Sequence, residues 1–152
     1  MRRTATILAV VALMVTFSSG VALAAYEDSI TGTAHTDILS GSAQAEQISG
    51  LGGGDQINGN GGTDLVRGGP GRDELSDGRG RDTVYGGAGV DNLIGYGDTS
   101  VDHFYAGGGD DTVQSRDVPA VKDVVSCGAG IDTVYADKAD VVSDNCEHVR
   151  TR

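Results

Sequence analysis

The chain has 152 residues, 22 of them acidic and 11 basic, for a formal charge of −11. That balance excludes a nucleic-acid-binding surface and contact with anionic lipid, and it favours cations as partners. With 25 glycines, no tryptophan and two phenylalanines, the composition also excludes an ordinary aliphatic-aromatic core, and by itself reads as disorder.

Residues 1–24 read as a secretory signal. Arg2 and Arg3 open it, an apolar run follows from Ile7 to Phe17, and Ala22-Leu23-Ala24 gives a small-x-small cleavage site. A retained anchor is the alternative, since Thr4 to Ala25 is nearly long enough to span a bilayer, although Ser18, Ser19 and Gly20 interrupt it. No cysteine follows the site for a lipid anchor, and Arg2-Arg3 lacks the flanks of a twin-arginine signal. Cleavage leaves nine basic against 22 acidic residues, a charge of −13, on an extracellular chain without membrane contact. Self-repulsion on that scale opposes compaction unless counter-ions are held. A short lead, 25–31, precedes the main body, 32–142, and 143–152 is a C-terminal cap or tail.

The main body repeats every nine residues. GTAHTDILS (32–40) and GSAQAEQIS (41–49) are degenerate openers. GLGGGDQIN (50–58), GNGGTDLVR (59–67), GGPGRDELS (68–76), DGRGRDTVY (77–85) and GGAGVDNLI (86–94) follow. An eleven-residue copy occupies 95–105, AGGGDDTVQ occupies 106–114, a twelve-residue copy occupies 115–126, and CGAGIDTVY occupies 127–135. A short last unit passes through Asp140 and Val142. The longer copies keep the Asp-x-apolar ending, so their extra residues are expected to bulge without shifting the register.

Within each copy, the first six residues suit a turn with positive φ at several positions, and the last three suit a very short strand with one inward side chain. The inward set is Leu39, Ile48, Ile57, Val66, Leu75, Val84, Leu93, Phe104, Val113, Val125 and Val134. One such side chain per copy makes no globular core, but stacked copies make a narrow continuous one. The acid at position six recurs with them, and stacked carboxylates repel unless something cationic lies between them. Turn capping by the aspartate side chains is the alternative use for that position.

Gly86-Gly87-Ala88-Gly89-Val90-Asp91-Asn92-Leu93-Ile94 fits G-G-x-G-x-D-x-U-x at every fixed position, as does Gly68 to Ser76. The pattern resembles the RTX, or haemolysin-type, calcium-binding nonapeptide repeat. The resemblance implies an all-β, right-handed parallel β-roll (a β-solenoid) in which two copies complete a turn. It also implies several Ca2+ ions between loops eighteen residues apart, held by aspartates and glycine carbonyls. Carried onto this chain, the metal ligands are Asp37, Asp55, Asp73, Asp91, Asp111 and Asp132 on one edge. On the other they are Asp64, Asp82, Asp102 and Asp123, with Glu46 and Asp140 at its ends. Hard oxygens in this number suit calcium independently of the resemblance. Glu46 lies in a copy with Ala and Gln at glycine positions, and Asp77 and Ala106 replace a leading glycine; the sites there and in the two long loops are the ones in question. The basic end, Val149-Arg150-Thr151-Arg152, together with the N-terminal signal, departs from export by a C-terminal signal.

Cys127 and Cys146 are the only cysteines. In an exported chain they are expected to form a disulfide tying the tail to the last full copy, the alternative being two free thiols in a reducing compartment. His35, His103 and His148 share no motif with a nucleophile, and the G-x-S-x-G, H-E-x-x-H and phosphate-loop patterns are missing. A carboxylate bound to calcium is a poor proton carrier, so the ladder does not supply a glycosidase pair. Arg67, Arg72, Arg79 and Arg81 read as solubilising surface, the alternative being contact with an anionic polymer. The expectation is therefore a non-enzymatic, secreted calcium-binding roll that folds as it binds calcium. The alternative is a calcium-dependent adhesive module for extracellular polysaccharide or a cell surface; the irregular fifth position (Thr36, Ala45, Gly54, Thr63) disfavours ice.

Overall fold

The computed structural model describes residues 28–152, Tyr96 excepted; the signal and the beginning of the lead lie outside the described residues. The described chain is all strand and turn. Its strands are β1 (Asp28–Thr31), β2 (Ile38–Ser40), β3 (Glu46–Ser49), β4 (Gln56–Asn58), β5 (Leu65–Pro70), β6 (Glu74–Ser76) and β7 (Thr83–Ala88). They continue as β8 (Asn92–Gly95), β9 (His103–Gly108), β10 (Thr112–Ser115), β11 (Val124–Ala129), β12 (Thr133–Ala136), β13 (Val141–Val142) and β14 (His148–Thr151).

Odd strands form one seven-stranded sheet and even strands another, each in unbroken sequence order and paired parallel. The chain thus crosses from sheet to sheet at every copy and completes a turn every two copies. This is the expected parallel β-roll. Glycine-rich loops favour it: each copy ends in a short strand segment followed by a turn into the other sheet, so pairing goes to the same segment one turn away.

The register runs Ile48↔Val66↔Val84 at eighteen residues, then Val84↔Phe104 and Phe104↔Val125 across the longer copies. The extra residues bulge from the loops and leave the pairing intact, as the shared Asp-x-apolar ending requires. All eleven inward residues are buried and form one column, with Ile30 and Val142 against its ends. Each contributes roughly 1.5–3 kcal/mol over an exposed position. A third buried rank was not anticipated. From Gly50 onward the leading residue of each copy is also buried, so Gly50, Gly59, Gly68, Asp77, Gly86, Gly95, Ala106, Ser115, Cys127 and Ala136 line the interior at the loop edges.

The sheets reach further than the repeats. β1 pairs with β3 ahead of Gly32, and β14 pairs with β12 through Thr133↔His148 and Tyr135↔Arg150. Strand pairing thus runs from Asp28 to Thr151, past both ends of the repeats. An end strand of a parallel roll offers unpaired N–H and C=O groups to any extended neighbour, whether or not it carries the repeat. The Cys127–Cys146 disulfide is formed, with Cα atoms 5.2 Å apart, and it fastens the segment before β14 to β11.

Candidate metal centre

The loops bring position six back against position one. Positions two and four carry left-handed backbone, as at Gly69 (φ 116°) and Gly80 (φ 116°). Even where position two is not glycine the conformation is kept, by Leu51 (φ 75°) and Asn60 (φ 68°). Asn tolerates it through its short polar side chain; for Leu51 it is a local cost of roughly 1–2 kcal/mol. The aspartate then enters the interior as the first residue of the buried alternation.

One carboxylate oxygen of each acid is committed to the next turn. Oδ1 of Asp55 accepts the N–H of Asp37 (2.9 Å), Asp73 that of Asp55 (2.7 Å), Asp91 that of Asp73 (2.9 Å), Asp111 that of Asp91 (2.8 Å) and Asp132 that of Asp111 (2.8 Å). On the other edge Asp64 accepts from Glu46, Asp82 from Asp64, Asp102 from Asp82, Asp123 from Asp102 and Asp140 from Asp123. The two predicted edges are therefore two continuous columns. Glu147 closes the first by accepting the N–H of Asp132, a role that its position outside the repeat concealed.

The second oxygen is left over. Oδ2 of Asp55, Asp64, Asp73, Asp82, Asp91, Asp111 and Asp132 is buried and has no hydrogen-bond partner. At Asp55, Asp64, Asp73 and Asp91 it lies against the leading glycine, in a cradle where any Cβ would intrude, while Asp77, Ala106 and Cys127 hold that place in the copies of Asp82, Asp111 and Asp132. A Cβ at Gly50 would lie 2.1 Å from Asp55 Oδ2 and 2.7 Å from the carbonyl oxygen of Gly68. At Gly68 the same point lies 2.4 Å from Asp73 Oδ2 and 2.7 Å from the Gly86 carbonyl, and at Gly86 it lies 2.8 Å from Asp91 Oδ2 and 2.4 Å from the Ala106 carbonyl. Gly59 repeats the arrangement with Asp64 and the Asp77 carbonyl. Carboxylate oxygen and carbonyl oxygen facing a glycine-lined gap are the hard donors that calcium takes, and no cation of the protein stands there. Among the described residues the one ion pair is Arg152–Asp137.

The first two copies differ. Thr33 gives both its N–H and its hydroxyl to Asp37 Oδ2 (2.6 and 2.9 Å), and Ser42 likewise caps Glu46. Capping by Thr33 and Ser42 thus accounts for the openers, whereas Asp55, Asp64, Asp73, Asp82, Asp91, Asp111 and Asp132 have one oxygen engaged and the other without a partner.

The electrostatics follow from the stacking. Burial pushes the carboxyls up, and neighbouring acids add to it: column acids at Asp64, Asp82 and Asp91; Asp98 and Asp117 of the long loops at Asp102; and chiefly Asp117 at Asp123. Asp64, Asp91 and Asp102 are raised to about 6, Asp82 to about 7 and Asp123 to about 8. Asp55, Asp73, Asp111 and Asp132 are raised for the same reason. Two charges one strand spacing apart, about 4.8 Å, repel by roughly 3 kcal/mol at an effective dielectric of about 20. The amide-to-carboxylate hydrogen bond returns about 1.5–3 kcal/mol. The column is near balance before the orphaned oxygens are counted, and they tip it against the fully charged state.

Further acids join the second edge. Asp77 and Asp117 are buried with Asp82, Asp102 and Asp123. Asp98 Oδ2 accepts the N–H of Gly80 (2.6 Å), Asp117 Oδ1 that of Gly97 (3.0 Å) and Asp137 Oδ2 that of Asp117 (2.7 Å). Asp98 and Asp117 come from the two long loops, and their spacing falls outside the nine-residue frame, which is why repeat-reading passed over them.

A parallel roll whose edges are columns of carboxylates and open glycine cradles defines a cation-binding solenoid. The RTX calcium-binding nonapeptide repeat matches in four copies, at residues 24–45, 40–75, 67–101 and 96–116, and the chain belongs to that family. No curated protein and no solved structure matches the chain significantly.

Proposed function

We propose that this chain is an exported, non-catalytic calcium-binding roll whose folding is coupled to the several ions it takes up. The row of buried, partnerless Oδ2 atoms carries the reading: seven carboxylate oxygens have been removed from water and given nothing in exchange. The ligands on one edge are Asp55, Asp73, Asp91, Asp111 and Asp132, with Asp37 at its capped end. On the other they are Asp64, Asp82, Asp102 and Asp123. Carbonyls of the next turn, such as those of Gly68 and Gly86, stand beside them. Bound calcium supplies positive charge between stacked acids; the chain supplies hard oxygens and glycine-lined space. A −13 mature chain with a core one side chain wide is expected to lose most of its order when that charge is withdrawn. Circular dichroism of the chain in calcium and in excess chelator tests the coupling. Equal β content in both conditions overturns it, whereas the expected result is a cooperative, calcium-dependent rise.

A second reading, a calcium-dependent adhesive or polysaccharide-binding accessory module, draws on the outer face of the odd-numbered sheet. There Tyr85 and Tyr105 are partly exposed and stack with ring centroids 4.8 Å apart, and the Arg67 guanidinium lies 5.6 Å over Tyr85. Aromatic surface of this kind suits sugar rings. A glycan array probed with calcium present, giving signal that Tyr85→Ser abolishes, supports this reading; a blank array removes it.

A further inference from the structure

Asp77 stands where the other full copies carry glycine or another small residue, and its carboxylate lies in the interior with 2 % of the residue exposed. One oxygen each from Asp77, Asp82 and Asp102 lies within 4.8 Å of the others, and all three residues are buried. Three of their six carboxylate oxygens accept backbone hydrogen bonds: Asp77 Oδ1 from the N–H of Gly78 (2.6 Å), Asp82 Oδ1 from that of Asp64 (2.6 Å) and Asp102 Oδ1 from that of Asp82 (2.7 Å). Asp82 Oδ2 is fully buried and has no partner. In the neighbouring copies the corresponding Oδ2 faces the leading glycine at 2.1–2.8 Å from its would-be Cβ. Here the leading residue is Asp77, so Asp82 Oδ2 faces a carboxylate instead of an open gap. Three acids converge on one buried point, and no protein donor is aimed at the vacant oxygen. Arg81 acts on Asp102 only weakly from outside, and Asp98 adds further negative charge.

We propose that Asp77, Asp82 and Asp102 form a carboxylate-only calcium site, different in kind from the repeat cradles, that takes up its ion before they do. The proposal rests on the calcium reading above for the identity of the ion and on its own geometry for the place. Calcium affinity in oxygen sites rises with the number of charged ligands. Three converging carboxylates outrank a cradle of one Oδ2 and a carbonyl. The site lies at the middle of the roll, between β7 and the long loop before β9. A first ion here joins the regular copies on one side to the irregular ones on the other, and the cradles fill outward from it.

The test is calcium titration of the chain against a chromophoric chelator, with Asp77→Gly, Asp77→Asn and Asp73→Asn beside the parent. Asp77→Gly installs the residue of the regular copies, and Asp77→Asn keeps the shape while removing the charge, so one of the two remains foldable in calcium. The parent is expected to bind one ion at least about tenfold more tightly than the rest. Both Asp77 variants are expected to lose that step and keep the weaker ones, while Asp73→Asn keeps the tight step and loses a weaker one. If both Asp77 variants bind the first ion as tightly as the parent, this site falls and the cradle reading stands. If the parent binds no calcium at all, both fall.

Discussion

The backbone N–H of Asp55 donates to Oδ1 of Asp73, one complete turn away, at 2.7 Å. The same carboxylate has its other oxygen buried, partnerless and directed at the Gly68 cradle. Asp73 therefore does two separable things: it closes a backbone donor of the preceding turn, and it offers charge to whatever enters the gap.

Substitution separates these two roles. Asp73→Asn retains an acceptor for the Asp55 N–H and removes the charge; Asp73→Ala removes both. With calcium present, both variants are expected to bind fewer ions. Asp73→Ala should lose a further ~1–3 kcal/mol, the cost of a buried donor left unsatisfied. Chemical denaturation at saturating calcium, run on both, measures the difference. Identical stabilities would show that Oδ1 contributes no closure.

The cradles predict opposite fates for two glycine substitutions. Gly68 has an ordinary backbone, and alanine occupies the equivalent place at Ala106, so Gly68→Ala should fold; its methyl group, however, would lie 2.4 Å from Asp73 Oδ2 and obstruct the gap. Weaker calcium binding with the roll retained is expected. Gly80 has φ 116°, and a Cβ there would be 1.7 Å from the Gly62 carbonyl oxygen. Gly80→Ala should prevent the turn from closing whether or not calcium is present, by several kcal/mol of combined strain and clash, on the order of ~3 or more. Calcium titration followed by circular dichroism distinguishes an occupied cradle from a broken loop. Equal behaviour of the two variants would contradict the assignment.

The fold was legible because its cause is periodic. Asp91 and Leu93 sit in a copy that meets the pattern at every fixed position, and the chain places both where the pattern requires: the acid in its column, the leucine in the core. Phe104 and Val125 were found across two insertions because the Asp-x-apolar ending travels with the strand rather than with the count. What escaped were residues whose role comes from the third dimension. Asp77 was visible as a departure from glycine, yet only the coil stacking brings it to Asp82 and Asp102. Asp98 and Asp117 lie in insertions, where nothing in the frame says which side chain turns inward. Glu147 and β14 complete the column and the sheet at an edge that accepts any extended segment with a suitable donor or acceptor.

Acid should act in opposite directions on the two forms. In the metal-free fold the buried column holds protons more tightly than the unfolded chain does, with values raised from 3.8 to about 6 at Asp64, about 7 at Asp82 and about 9 at Asp77. Raised acids of this kind stabilise the fold fully below the ordinary carboxyl value, and that contribution is lost as pH rises through the folded values. Calcium-free chain should therefore gain β structure as pH falls from about 9 to below about 6. With calcium the sign reverses, because protons compete for the same oxygens and the calcium concentration needed for folding must rise on acidification. Circular dichroism across that interval, with and without calcium, checks both signs. A calcium-free signal that stays flat or falls on acidification would overturn the buried-column electrostatics.

The Cys127–Cys146 bond predicts a polar effect along the roll. It closes a 19-residue separation, worth roughly 3 kcal/mol in the chain-entropy model. What it restrains is local: β14, which pairs only with β12, and the Glu147 carboxylate that accepts the Asp132 N–H. Reduction, or the double substitution Cys127→Ala with Cys146→Ala, should release β14 first and weaken the cradle that Asp132 completes. The column from Asp55 to Asp91 should be left unchanged. Alanine at position one is already tolerated at Ala106 and Ala136, both fully buried, so the substitution adds no steric fault of its own. Hydrogen exchange at saturating calcium reads this directly: protection is expected to fall at His148–Thr151 and Thr133–Ala136 and to persist at β4, β6 and β8. Uniform loss along the whole roll would instead mean that the terminal turn nucleates the rest, and would contradict a disulfide acting as an end clamp.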